Sequence, residues 1–170
     1  MNTTQAIRAR RSIRKYKQGA VIPQSDIDRM LEAAMCAPSA RNLRPWRVIV
    51  IESAEVRKQI TEGIGGNWFL NDASLAVIIC GDTGRMPDGS AGGFWQQDCA
   101  AATQNLLLQA AELGYGTCWC GVYPGARTPI ITKILDLKDE VPLSLIAVGV
   151  PDEAPAAKGV YDKEKVRYIR

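Results

Sequence analysis

Arg10-Arg11-Ser12-Ile13-Arg14 puts three guanidiniums and a hydroxyl within five residues. Guanidiniums bind phosphate oxygens in pairs, and each charge-assisted hydrogen bond contributes roughly 1.5–3 kcal/mol. A phosphate dianion suits this segment, although a short basic run on a solvated face has the same composition. Pro38-Ser39-Ala40-Arg41-Asn42, followed by Pro45, offers a hydroxyl, an amide and backbone groups pinned between prolines. That chemistry fits a polyol chain or a heterocycle edge, and equally a plain helix-to-strand connector. Cys118-x-Cys120 stands on one face of an expected strand, too widely spaced for an easy disulfide. No second pair stands at ligand spacing, so these thiols read as structural and no metal site is expected. Gly63-x-Gly65 lacks the third glycine and the preceding strand of a dinucleotide fingerprint. Asp98 and Glu112 are single carboxylates with no obvious partner, and the four tryptophans suit packing at least as well as stacking on a ring.

Composition narrows the chemistry. The 170 residues include no histidine, so Ser–His and Cys–His catalytic pairs and the usual zinc sites with histidine are excluded. A formal charge of +3 admits an anionic ligand but is too mild to argue for nucleic acid. Apolar residues at 46% and charged ones at 23% are ordinary for a globular protein of one domain, 1–170. Five cysteines, an odd number, four of them within expected strands or helices, suit reduced thiols. With no apolar leader and no run long enough to span a bilayer, the chain reads as cytoplasmic, with neither membrane nor nucleic acid as partner.

The elements that must carry these residues follow from periodicity. Trp95–Gly116 is rich in Ala, Leu and Gln and apolar almost all round, which predicts a long buried helix. Its alanines suit either a central core helix or a subunit seam, and Gly114 and Gly116 supply the stop. Thr3 or Thr4 caps a short helix through Gln5–Ala9, and Pro23 and Ser25 open a second over Asp26–Met35. Further helices are expected over Ala54–Ile64 and Pro129–Leu137. Strands are expected at Trp46–Ile51, Leu75–Cys80, Thr117–Val122 and Leu143–Val148. Leu75–Cys80 is apolar throughout and should be central, with both faces covered. Gly81–Gly93 reads as a loop. The polar tail, Pro151–Arg170, is too poor in apolar spacing to fold alone and must lie on its own subunit or on a partner, with a fifth strand as one option.

Together, RRSIRKY at 10–16, APSARNLRPW at 37–46, DASLAVIICGD at 72–82 and QDCAAATQNLLLQAAELGYGTCWCG at 97–121 resemble the FMN-dependent nitroreductase family. A terminal strand followed by a basic tail adds to the match, which covers nearly the whole chain. The resemblance implies an α+β nitroreductase-like fold with a central, mostly antiparallel sheet wrapped by helices. It also implies an intertwined homodimer with one FMN in each of two clefts at the subunit seam. Carried over by position, Arg10 and Ser12 contact the phosphate or ribityl chain with Arg11 beside them, and Arg14 stands at the N1–O2 edge of the ring. Pro38, Ser39 and Ala40 line the ring from the partner subunit, and Asn42 bonds the ribityl–pyrimidine region. Asn67 matches a residue at the N3 edge, with the register off by about one. Gly121, Val122, Tyr123 and Pro124 pass near N5. Lys158 resembles a late basic residue that reaches the phosphate. Val160 occupies a second such position, so Lys165 or Arg167 completes the clamp instead.

The implied activity is transfer of hydride from NADH or NADPH through FMN to nitroaromatics or quinones, with ping-pong kinetics and no side-chain acid or base. The chain is short for the family, with little material for lid helices, so an open and permissive acceptor site is expected. Alternatives are dehalogenation or flavin cleavage on the same fold, flavin storage or regulation, or nucleic-acid binding through RARRSIRKYK.

Overall fold

A computed structural model describes residues 1–86, 93–156, 159 and 161–170. Four strands form one antiparallel sheet in the order β1-β2-β4-β3. They are β1 (Trp46–Ile51), β2 (Leu75–Asp82), β3 (Gly116–Gly121) and β4 (Glu140–Gly149). The helices are α1 (Thr3–Ala9), α2 (Gln24–Met35), α3 (Ala54–Ile64), α4 (Trp95–Glu112) and α5 (Arg127–Ile134). Among the described residues the tail adds no fifth strand. No described helix is long and apolar enough to cross a membrane.

The two interior strands explain the apolar runs. Every residue of β2 is buried, and so are Pro142–Gly149 of β4, because helices cover both faces. One core gathers α2 and α4 against Leu75, Val77, Ile79, Ile146 and Val148. The other gathers Ile60 of α3 and Ile131 of α5 against Ala76, Ile78, Cys80, Leu145 and Ala147. Successive strand residues thus feed opposite cores, as the pleat requires. Leu75–Cys80 is continuously apolar in an antiparallel sheet because both faces are covered.

β4 begins earlier than its apolar run. Pro142 lacks an N–H, yet the strand passes through it because the ladder skips a residue there: Ile79 faces Ser144 and Cys80 faces Pro142. Bulges are where strand interiors accommodate proline. The residue left over is Leu143, and its carbonyl accepts N–H bonds from both Val122 and Tyr123, at 3.1 Å each. The irregularity in β4 therefore sets the path of the chain leaving β3.

The helix ends follow local chemistry. Asn2, rather than Thr3 or Thr4, caps α1, because its side chain accepts the Gln5 N–H while Gln5 reaches back to the Asn2 N–H. α4 stops in a Schellman turn: Gly114 takes φ +89°, its N–H donates to Ala111, and the Tyr115 N–H donates to Ala110. α5 starts two residues before Pro129 and ends at Ile134 rather than Leu137. Within the chain α4 buries Trp95, Cys99, Ala102, Leu106, Leu107 and Ala110, while Ala100, Ala101, Leu108 and Ala111 stay half-exposed. It is a core helix with an apolar stripe to spare.

Candidate functional site

After α1 the chain straightens and runs beside β3. The Ile13 N–H donates to the Thr117 carbonyl at 2.8 Å, and Ser12 bridges Thr117 in parallel sense. Ile13 and Tyr16 turn inward and are buried, and the Tyr16 hydroxyl donates to the Ile13 carbonyl at 2.6 Å. Arg14, next to Ile13, is exposed. Gly116 permits this approach, since a Cβ there would sit 2.9 Å from three carbons of Ile13. The segment next meets the start of the tail, where the Lys17 N–H donates to Val150 and the Asp152 N–H to Lys15, both at 2.9 Å.

The result is a cavity of about 530 Å³ lined by Ile7, Arg10, Arg11, Ser12, Arg14, Glu153, Pro155, Ala156 and Gly159. Arg11 is committed to backbone, donating to Arg10 O at 2.5 Å and Ala156 O at 3.1 Å. Glu153 accepts the N–H groups of Arg14 and Lys15. Among the described residues, the guanidiniums of Arg10 and Arg14 form no ion pair. Three cations thus face one carboxylate, and two of them keep their donors free for an anion. Glu153 gave no motif signal, and only the folded tail brings it here.

Asn67 lies at the same end of the sheet, on the connection from α3 to β2. That connection is tied to the residues after the arginine segment, with Gln18 donating to Asp72 at 2.8 Å and Ser74 to Ala20 O at 2.6 Å. Asn67 adopts φ +59°, and its side-chain nitrogen is buried without a hydrogen-bond partner. A buried donor left unpaired costs about 1–3 kcal/mol unless something outside the chain accepts from it.

The remaining expected residues sit at the opposite end of the sheet. Gly121–Pro124 leaves β3 held by Leu143 O, by Arg127 donating to Gly121 O (3.2 Å), and by Thr128 donating to Val122 O (3.1 Å). The Tyr123 ring meets Trp95 edge-on, with centroids 4.9 Å apart. Trp95 packs there because β2 has Gly81, where a Cβ would sit 2.5 Å from the indole. One turn along α4, buried Asp98 accepts the Ala40 N–H at 2.9 Å. Pro38–Asn42 precedes β1, on the edge of the sheet away from β3.

Strand rise puts the two ends of β3 roughly 17 Å apart, and strand spacing puts β1 and β3 about 14 Å apart. Arg10–Arg14 and Gly121–Pro124 therefore share one edge, while Pro38–Asn42 of the same chain lies diagonally across. Lys158 lies outside the described residues, Lys165 pairs with Asp162 at 3.6 Å, and Arg167 is exposed. Cys118 and Cys120 are buried free thiols facing the second core. A hydrogen bond with Cys118, and then burial, push the Cys120 thiol up.

Helices on both faces of a four-stranded antiparallel sheet, with an arginine-lined cavity at its edge, make a fold of the nitroreductase type. The FMN-dependent nitroreductase of Clostridium difficile superposes with a TM-score of 0.87 at 30% identity, covering 98% of this chain and 99% of that one. A model of the Nitroreductase family matches residues 7–96 and 65–150. A Methanothermobacter thermautotrophicus protein assigned as an NADH dehydrogenase/NAD(P)H nitroreductase is 40% identical over 170 residues, covering 98% of this chain and 86% of the relative. The FMN reductase (NAD(P)H) of Bacillus subtilis is 28% identical over 93% of this chain and 69% of its own. The chain belongs to the nitroreductase family.

Proposed function

We propose that the protein is an FMN-dependent oxidoreductase that takes hydride from NADH or NADPH and delivers it by a ping-pong mechanism to nitroaromatic or quinone acceptors. The observation that carries this reading is the cavity beside β3, where Arg10 and Arg14 keep free guanidiniums. The unpartnered Asn67 amide supports it, since a heterocycle carbonyl is the acceptor that donor needs. When bound, FMN supplies hydride acceptance and donation at N5.

The chain's own part is to bind, charge and orient. Arg10 and Ser12 hold the phosphate or ribityl chain, and Arg11 fixes Ala156 and so closes the tail over them. Arg14 places a cation at the pyrimidine edge, where reduction puts negative charge. Asn67 donates along the N3 edge. Gly121–Pro124 gives the ring a fixed wall, since its Val122 and Tyr123 N–H groups are tied to Leu143. Lys158, Lys165 or Arg167 supplies a further cation to the phosphate.

Pro38, Ser39, Ala40 and Asn42 belong to the same site in a homodimer. Their diagonal separation from Arg10–Arg14 within one chain favours contribution across a two-fold axis. The half-exposed stripe Ala100, Ala101, Leu108 and Ala111 on α4 gives the seam. Tyr161, Val166, Tyr168 and Ile169 are exposed on the single chain, which suits a tail that embraces a second subunit.

The test is an anaerobic titration of the purified protein with NADH and NADPH, followed by a panel of acceptors. Flavin absorption should bleach with a nicotinamide nucleotide and return with a quinone or nitroarene. Protein without flavin affinity ends the proposal; bound flavin that stays oxidised makes it a binding protein.

A further inference from the structure

The loop before β1 takes a conformation that its sequence does not favour. Arg41, Asn42 and Arg44 have φ of +54°, +54° and +49°, so three non-glycine residues within four positions are left-handed. Such residues persist where surrounding contacts over-determine them. Two contacts stand out here. Asp98, in the first turn of α4 and only 7% exposed, accepts the Ala40 N–H at 2.9 Å across 58 residues of sequence. Arg44 folds back on the loop: its backbone N–H donates to Ser39 Oγ at 2.9 Å and its Nε–H to Asn42 Oδ1 at 3.1 Å.

The second contact has a chemical consequence. A guanidinium N–H donates only to an acceptor, so it fixes which end of the Asn42 amide is the oxygen and leaves Nδ2 to point away. Ser39, whose oxygen already accepts from Arg44, likewise keeps its O–H to give. We propose that Asp98 and Arg44 are positioning residues that hold this loop as a face of hydrogen-bond donors, Asn42 Nδ2 and Ser39 O–H, turned toward an acceptor-rich ligand edge. The inference rests on the flavin reading, in which that edge is the carbonyl and ribityl oxygens of FMN. Neither positioning residue touches the ligand. Asp98 anchors the loop to α4, and Arg44 sets the polarity of what it presents.

The experiment measures FMN affinity by fluorescence quenching, with visible circular dichroism of the bound flavin, on the full-length protein. Wild type is titrated first; if it binds no FMN, the flavin reading itself fails. Given wild-type binding, Asp98→Ala and Arg44→Ala should each weaken it about tenfold and change the dichroism of the flavin bands, which a loss of general stability would not do. Asp98→Asn keeps a carbonyl acceptor for the Ala40 N–H and should recover most of the affinity; it also serves if the alanine variant does not fold. In an Asn42→Ala background, Arg44→Ala should cost at most about threefold, because its main target is gone. Wild-type affinity and spectra in both Asp98→Ala and Arg44→Ala overturn the inference, as does a full tenfold loss for Arg44→Ala in the Asn42→Ala background.

Discussion

Gly116 and Gly121 bracket β3, and the same substitution at each should have opposite outcomes. At Gly116 a new methyl would lie 2.9 Å from Cβ, Cγ1 and Cγ2 of Ile13. These are the root carbons of a β-branched side chain that is 7% exposed, and its backbone is hydrogen-bonded to Thr117. Nothing flexible is available to yield, so the arginine segment must move. Overpacking of this kind costs about 1–3 kcal/mol. At about 2–4 °C per kcal/mol for a chain of this size, Gly116→Ala should melt roughly 2–12 °C below wild type. At Gly121 the methyl meets nothing within 4 Å, and neither glycine has positive φ. Gly121→Ala should therefore stay within about 0.5 kcal/mol, or about 2 °C. The assay is thermal unfolding of the flavin-free protein at one concentration, with FMN affinity measured in parallel. Gly116→Ala should also bind FMN about tenfold more weakly, the equivalent of about 1.4 kcal/mol, or one charge-assisted contact disturbed. Equal melting of Gly116→Ala and wild type, or equal damage from the two variants, would refute the claim that the arginines are placed by the Ile13–Gly116 approach.

Three further outcomes are expected. Arg14→Ala should lower the two-electron potential of bound flavin by roughly 30–65 mV, from roughly 1.5–3 kcal/mol for a charge-assisted contact at about 30 mV per 1.4 kcal/mol; an unchanged potential removes Arg14 from the pyrimidine edge. Thr103 Oγ1, which donates to Cys99 O at 2.9 Å, lies 3.0 Å from Ser144 Oγ with both residues fully buried. Thr103→Val should cost about 1–3 kcal/mol in a denaturant titration, and adding Ser144→Ala should recover part of it, because no hydroxyl is then left unpaired. Burial pushes the Cys80 and Cys99 thiols up to about 12 from 9.0, with Glu140 adding to Cys80, and Cys80 and Asp98 adding to Cys99. Between those values the folded protein keeps protons that the unfolded chain has released, so stability should fall as pH rises from about 9 to 12. Unfolding midpoints across that window should flatten in a Cys80→Ala/Cys99→Ala variant; an unchanged slope assigns the alkaline loss elsewhere.

Residue order alone carries the elements and the chemistry available. Four strands and five helices were legible from apolar patterning, β-branched content and the residues that end each element, from the all-apolar run at Leu75–Cys80 to the glycine stop after α4. The cluster of guanidiniums and a hydroxyl at Arg10, Ser12 and Arg14 was legible from residue type alone, and the order of the motifs pointed to the nitroreductase family. What the chain order could not give was anything set by distant contact. β4 runs through Pro142 only because a bulge spares the missing N–H, and the same bulge turns Leu143 O toward Val122 and Tyr123. Asp98 reads as a lone carboxylate until the fold sets it under Ala40, and Glu153 as a tail charge until it caps the Arg14 and Lys15 N–H groups. Periodicity records which face of an element is apolar; it carries no record of which backbone group, many residues away, will stand within 3 Å of a given side chain. Those approaches arise when the chain folds, as does the placement of Pro38–Asn42 diagonally across the sheet from the arginines.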